Sequence, residues 1–356
     1  SDLALAPAAY TLWMNHLKFN PKNPGWRNRD RFVLSNGHAS MLQYAMLYLT
    51  GYDLSLDDLK QFRQWGSKTP GHPENTLTPG IETTTGPLGQ GIMTAVGMAM
   101  AEAHLAAVFN TDSEKIIDHF TYVFCSDGDL MEGASHEAGS LAGHLGLGKL
   151  ICLYDNNHIT IEGHTSLTYS DDVAARFRAY NWHVQDLEDG GNDIAAISGA
   201  LQQARQVTDK PSMILLKTHI GYGSPNKQDT PEAHGSPLGV EEVRLTKKAY
   251  GWPEDAQFLV PDDVKDHMRG AVERGALWEN TWDTAAAAYR KAYPEKYELL
   301  ESYYAQKLPE GWNKDVRVYT PADGPKATRE VSRDFLNTIC KTVPWLIGGS
   351  GDLEPS

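Results

Sequence analysis

The chain has 356 residues, enough for about two and a half domains of roughly 150 residues each. Hydrophobic residues make up 41% and charged residues 22%, ordinary globular values that exclude disordered and collagen-like character. Acidic residues number 46 against 32 basic, a net charge of −14, so non-specific nucleic-acid binding through Lys–phosphate and Arg–phosphate pairs is not expected. A small anionic ligand is still compatible with a locally positive pocket. No apolar run reaches the roughly 20 residues that span a bilayer. The longest, Ile92 to Phe109, is interrupted by Thr94, Gly97, Glu102 and His104, so no membrane association is expected. The first residues lack a basic stretch and a clean cleavage site, and no signal peptide is expected. Cys125, Cys152 and Cys340 are too few and too scattered for a disulfide framework or a zinc site, and a cytoplasmic setting follows as an expectation.

In chain order, Ala6 to Leu17 predicts an amphipathic helix, followed by a Pro/Gly/Asn loop. RFVLSNGH predicts a short strand or turn, and Ser40 to Leu49 a helix. Ser55, with Asp58 three residues on, reads as the N-cap of another helix. The stretch GSKTPGHPENTLTPGIETTTGPLGQG is too rich in Gly, Pro and polar residues for regular structure, and long loops in compact domains are usually functional. From Ile92 helices alternate with buried strands: a helix to Phe109, strand His119–Ser126, helix Glu132–Leu145, strand Lys149–Tyr154, helix Val173–Tyr180, strand His183–Leu187, helix Ile194–Val207 and strand Ser212–Thr218. Apolar strands joined by helical crossovers predict an α/β fold, a parallel sheet with helices on both faces. Such sheets bind ligands at the carboxyl ends of their strands. Beyond Leu238 the chain is helical and charged to about Gln306, then linker-like; a new unit follows, with TREVSRDFLNTICKTV helical and a strand at Trp345–Gly348.

Cys125–Ser126–Asp127–Gly128–Asp129 ends one buried strand, and Asp155–Asn156–Asn157 ends the next, about thirty residues on. Asp127 and Asn157 would then stand at neighbouring strand ends, a carboxylate and an amide oxygen suited to Mg²⁺ or Ca²⁺ that also holds phosphate oxygens. Gly128 is expected to let the backbone turn sharply and approach a ligand. The helix after Gly133 would add amide donors and dipole for an anion. Each motif alone also fits an ordinary strand-end turn; the pair favours a metal–diphosphate site. A rival, the nucleophile loop of haloacid-dehalogenase-like phosphatases, asks for Thr or Val two residues after the second Asp, where this chain has Leu130–Met131. His38, His72 and His234 are expected in loops rich in Gly or Pro, able to donate to phosphate or move protons, although a lone histidine is more often structural. Thr85 to Gly91 is glycine-rich and runs into a helix, but lacks the dinucleotide-binding spacing. Glu132 opens a helix, whose dipole it would complement.

The paired DGD and NN motifs resemble the thiamin-diphosphate signature, with Ser126 in place of its first glycine. Together with RFVLSNGH, PGHPE, TTGPLGQG, SDGDLMEG, SLAGHLGLGKLI, YDNNHITIEG and AHGSPLG, they resemble the transketolase family from Leu5 to Ser356. That resemblance implies a thiamin-diphosphate-binding fold, with 1–308 as the diphosphate-binding domain, 309–325 a linker and 326–356 the start of a pyrimidine-binding domain. It implies Asp127, Asn157 and the Ile159 carbonyl as metal ligands, with Mg²⁺ or Ca²⁺ as the ion. His38, His234 and the Gly128 amide would contact the diphosphate, Gly86, Leu88 and Ile161 would pack on the cofactor rings, and Asp352 would lie close to it. His72 would bind sugar hydroxyls, with His38 and His234 beside it in the chemistry, and His234, Arg329 and Ser356 would meet the sugar phosphate. Glu132 matches an interface carboxylate that links two cofactor sites, which implies a homodimer, or else a partner subunit carrying the pyrimidine-binding domain. The implied activity is two-carbon ketol transfer from a ketose phosphate to an aldose phosphate, with dihydroxyacetone synthase or a non-catalytic cofactor-binding half as alternatives. Two parts of the family's site, a histidine in a GHPG segment and the glutamate of the pyrimidine domain, are not in this sequence.

Overall fold

The computed structural model describes residues 1–305 and 307–350, which separate into two compact units, one ending at Ala285 and the other beginning at Ala286. Helix α1 (Asp2–Thr11) starts earlier than its apolar pattern suggests and passes into a turn of π-helix at Leu12–His16. Strand β1 (Arg31–Leu34) follows, then α2 (Ser40–Thr50), which stops where Gly51 takes a left-handed conformation. Helix α3 (Leu56–Lys60) opens on the expected capping box: Ser55 Oγ accepts from the Asp58 amide at 3.0 Å, and Asp58 Oδ2 accepts from the Ser55 amide at 2.8 Å.

The alternating part comprises α4 (Gln90–Phe109), β2 (Thr121–Ser126), α5 (Asp127–Met131), α6 (Gly133–His144), β3 (Leu150–Asn156), α7 (Val173–Ala179), β4 (His183–Asp186), α8 (Ile194–Gln206) and β5 (Ser212–Lys217). The five strands form one parallel sheet in the order β1–β2–β3–β5–β4. Successive side chains of a strand point to opposite faces, and here both faces are apolar. Phe32, Leu34, Tyr122, Phe124, Ile151, Leu153, Ile214 and Leu216 pack with α1, α2 and α8. Val33, Val123, Cys125, Cys152, Met213 and Leu215 pack with α4, α6 and α7. The double burial explains the continuous hydrophobic character of the strands. The order places the β1, β2 and β3 ends side by side, so their three following loops converge.

Helix α4 forms where expected, with Thr94, Gly97, Glu102 and His104 inside it, but contrary to the expectation drawn from those interruptions it is, by length and composition alone, apolar enough to cross a membrane, with a mean hydropathy of 1.6. It lies against β1, β2, β3 and α6, with Ile92, Ala95, Val96 and Ala99 buried.

Past the sheet come α9 (Glu232–Gly235), α10 (Val240–Ala249) and α11 (Asp262–Ala292), followed in the second unit by α12 (Pro294–Tyr304) and α13 (Thr328–Ile339). The expected strand at Trp345–Gly348 is not formed; among the described residues the sheet has no strand after Lys217. A strand needs a neighbour to take its backbone hydrogen bonds. Here Trp345 packs edge-on against Tyr303, ring centroids 5.3 Å apart, and the Tyr303 hydroxyl donates to the Pro344 carbonyl at 3.1 Å.

Candidate active site

Parallel pairing brings together two motifs that are distant in sequence. Ser126, the last residue of β2, pairs in register with Asp155 of β3, so Asp127 and Asn157 leave the sheet at neighbouring points on its carboxyl edge. Asp127 is only 2% exposed. Its Oδ1 accepts from the Tyr154 hydroxyl at 2.5 Å, and its Oδ2 from the His158 amide at 3.2 Å. His158 sits in the left-handed region, φ +60°, and this bends the 157–159 segment over the carboxylate. Asn157 Oδ1 accepts from the Ile159 amide at 3.0 Å. Burial raises the Asp127 pKa to about 6; the Tyr154 hydrogen bond opposes the rise and the Asp155 carboxylate adds to it. A buried carboxylate, an amide oxygen and nearby peptide carbonyls are hard donors, and a divalent cation among them would offset the cost of burying the charge. Among the described residues there is no cluster of three His, Cys, Asp or Glu able to hold a metal; the expected set needs only one carboxylate.

The segment from Ile159 leads directly to the histidines. His234, in the helical turn α9, has the Ile159 backbone beside its ring, and Gly235 lies against Ile161, where an added Cβ would meet Ile161 Cγ2 at 3.6 Å. The His234 ring stacks on that of His38, centroids 4.7 Å apart and planes 29° from parallel. His38 sits in a 3-10 turn, Gly37–Ala39, immediately after β1, so both rings are carried on helical turns and not on the open loops expected. Burial lowers both pKa values; that of His38 falls to about 3, with His234 adding to the effect. Neutral imidazoles suit donation to an anion that is itself paired with a cation. The His234 Nδ1 is buried with no partner. Both rings border a cavity of about 530 Å³.

His72 comes from the long loop before α4. Its ring lies on Gly86, where an added Cβ would be 3.3 Å from His72 Cγ, and Gly37 packs against Gly86 so closely that its Cβ would be 2.9 Å from the Gly86 amide nitrogen. That contact sets His72 near His38. Gly128 is inside helix α5 with no positive φ, so the abrupt passage from β2 into α5 does not rest on a left-handed glycine. Glycine is required there for space: a Cβ would come 2.9 Å from Leu88 Cδ1. Leu88 and Glu132 are both exposed, and Glu132 lies against Gly89, the residue that opens α4.

The structure thus gathers Asp127, Gly128, Asn157, Ile159, Ile161, His38, His72, His234, Gly86, Leu88 and Glu132 along one sheet edge. Arg329 is exposed on α13 in the second unit; Asp352 and Ser356 lie outside the described residues. Several residues not singled out from sequence matter here. Asp129, fully buried, accepts from the Gly89 amide at 2.8 Å, the Ser35 hydroxyl at 2.7 Å and the Ser126 amide at 3.0 Å. It joins the ends of β1 and β2 to the start of α4. Asn36 is buried with neither side-chain polar atom bonded, and Asp155 has one oxygen held by Thr218 and the other unpartnered. Asn36 and Asp129 stand beside recognised motif residues, which was the available signal; their burial was not readable.

Comparison with known proteins agrees with this arrangement. Residues 1–309 match the family described as transketolase, thiamine diphosphate binding domain. A transketolase of Nostoc sp. is 55% identical over 355 residues, covering 99% of this chain and 53% of that protein, and one of Geobacillus stearothermophilus is also 55% identical, with the same shares covered. Among solved structures, transketolase from Leishmania mexicana superposes with a TM-score of 0.95 at 44% identity, covering 100% of this chain and 52% of that one. A Pichia stipitis transketolase in complex with sedoheptulose 7-phosphate gives 0.94 at 49%, covering 99% and 52%. The chain therefore spans about half the length of the relatives it matches. It belongs to the transketolase family, of which it carries the thiamine diphosphate binding domain.

Proposed function

We propose that this chain forms the diphosphate and metal half-site of a transketolase, which moves a two-carbon ketol unit reversibly from a ketose phosphate such as xylulose 5-phosphate to an aldose phosphate such as ribose 5-phosphate. The observation that carries the reading is that the segment which caps the buried Asp127 at His158 runs on through Ile159 and Ile161 to His234 and Gly235, where His234 stacks on His38. The unpartnered His234 Nδ1, Asn36 amide and Asp155 oxygen are buried groups that fit a polar ligand. In this reading Asp127, Asn157 and the Ile159 carbonyl hold Mg²⁺ or Ca²⁺, and neutral His38 and His234, with the Gly128 amide, donate to diphosphate oxygens. Gly86, Leu88 and Ile161 pack on the cofactor rings. His72 orients the sugar hydroxyls, while Arg329 and Ser356 bind the sugar phosphate. Bound thiamin diphosphate supplies the electron sink for cleaving a carbon–carbon bond next to a carbonyl.

The domain division proposed is 1–308 for diphosphate binding, a linker at 309–325 and a pyrimidine-binding domain from 326. The apolar side chains left exposed on α4 and α6, Met93 and Leu141, with Leu145 just past α6 and Leu88 nearby, support a homodimer in which Glu132 faces a second copy. A cytoplasmic location is part of the proposal, supported by the free thiols of all three cysteines.

The test is titration of the protein with Mg²⁺ and thiamin diphosphate, followed by tryptophan fluorescence, together with an assay of transfer from xylulose 5-phosphate to ribose 5-phosphate. Binding should require the metal and vanish in Asp127→Ala. Wild-type affinity in that variant would remove Asp127 from the metal site, and absence of metal-dependent binding in the wild type would sink the reading.

A further inference from the structure

His72 belongs to a loop with little regular structure, yet three consecutive carbonyls around it are held by one helix. Ser40 and Tyr44 are four residues apart on α2 and so share a face. The Ser40 hydroxyl donates to the Gly71 carbonyl at 2.9 Å. The Tyr44 hydroxyl lies 2.9 Å from the Pro70 carbonyl and 3.2 Å from that of His72, so its single proton is shared between them. Tyr44 is completely buried. On its far side, Gly71 is covered by Arg63, whose Nε would be 2.9 Å from an added Cβ. Helix α2 begins directly after His38, which gives His38 and His72 a common rigid support.

We propose that Tyr44, assisted by Ser40, is a positioning residue that sets the place of the His72 imidazole relative to His38. This rests on the reading of His72 as a group that orients the sugar. Tyr44 itself touches the loop backbone and no reacting atom. Because a displacement of about 1 Å at a reacting group can cost up to a hundredfold in rate, losing a shared hydroxyl proton has a predictable signature.

Tyr44→Phe in the full protein should lower kcat for two-carbon transfer by roughly tenfold and leave the affinity for thiamin diphosphate within about twofold. Ser40→Ala should act in the same direction, more weakly. In a His72→Ala background Tyr44→Phe should add no further loss, which a general folding defect would not reproduce. In ¹⁵N-histidine spectra, the ring signals of His72 should move in Tyr44→Phe while those of His38 and His234 stay. Unmoved His72 signals with wild-type turnover would overturn the proposal, as would losses that add in full to those of His72→Ala. If the wild type transfers no ketol unit, the functional reading fails by itself, and the His72 signals still decide whether Tyr44 positions the ring.

Discussion

Asp127 and Asp129 are two residues apart in one motif, and the structure gives them different work. Asp127 accepts from Tyr154 and His158 and lines a cavity of about 380 Å³ at the carboxyl edge of the sheet. Asp129 has no exposure and spends its carboxylate on donors from three places in the chain, the Ser35 hydroxyl, the Gly89 amide and the Ser126 amide and hydroxyl. Removing it strands two buried backbone amides, and each unsatisfied buried group costs about 1–3 kcal/mol. Asp129→Ala should therefore destabilise the protein by about 3 kcal/mol or more, read as a drop in the urea midpoint at unchanged slope. Asp127→Ala, which leaves one hydroxyl and one amide, should cost less stability while abolishing cofactor binding. Equal stability losses for the two variants would contradict this division. From sequence, only spacing from the strand end separates the two aspartates, which is why Asp129 escaped notice.

At the scale of elements, glycines show where backbones approach. Gly91 lies in the first turn of α4, where alanine is intrinsically favoured over glycine by about 1 kcal/mol. A Cβ there would be 2.4 Å from Ser35 Cα, a backbone atom at the end of β1 that cannot rotate away. Gly91→Ala should consequently destabilise by about 2 kcal/mol or more, while Gly199→Ala on α8, where an added Cβ meets nothing within 4 Å, should stabilise by about 0.5–1 kcal/mol. Thermal midpoints of the two variants would check the contrast; a neutral Gly91→Ala would mean that α4 is not pinned against β1. This contact aims the loop carrying Gly86 and Leu88 at the ends of β1 and β2. The strands and long helices were legible because two-sided burial and helical periodicity leave strong patterns. The short helical turns bearing Asp127 and His234 were not, since five residues or fewer carry no periodicity. The expected strand at 345–348 had the composition of one, but strand formation depends on a partner that local sequence does not contain.

For the molecule as a whole, a set of buried ionisable groups lies at the opposite, amino-terminal end of the sheet. His119, 5% exposed, has its pKa lowered to about 2 by burial, with Arg31, Lys18 and Lys149 adding to the effect. The folded protein keeps it neutral, whereas the unfolded chain protonates it below about 6.5. The unfolded state thus binds the extra proton, and stability falls as pH drops through that value. His119→Asn removes this contribution, so relative to wild type the variant should gain about 1.4 kcal/mol per pH unit between pH 6.5 and 4.5. Urea midpoints at several pH values would measure the gap, and a gap independent of pH would show that His119 does not titrate in this way. The composition and motifs by themselves determined the α/β class, the parallel sheet and the placing of Asp127 and Asn157 at neighbouring strand ends, because strand burial and strand-end chemistry are local. They also carried the family resemblance, since it lies in contiguous segments. Only the tertiary structure decided that His38 stacks on His234, that His72 rests on Gly86 under a clamp from α2, and that Asp129 ties the ends of β1 and β2 to α4 while Asp127 ties the end of β2 to β3. Those relations link residues far apart in the chain, and their geometry comes from how closely backbones pack, which no local pattern records.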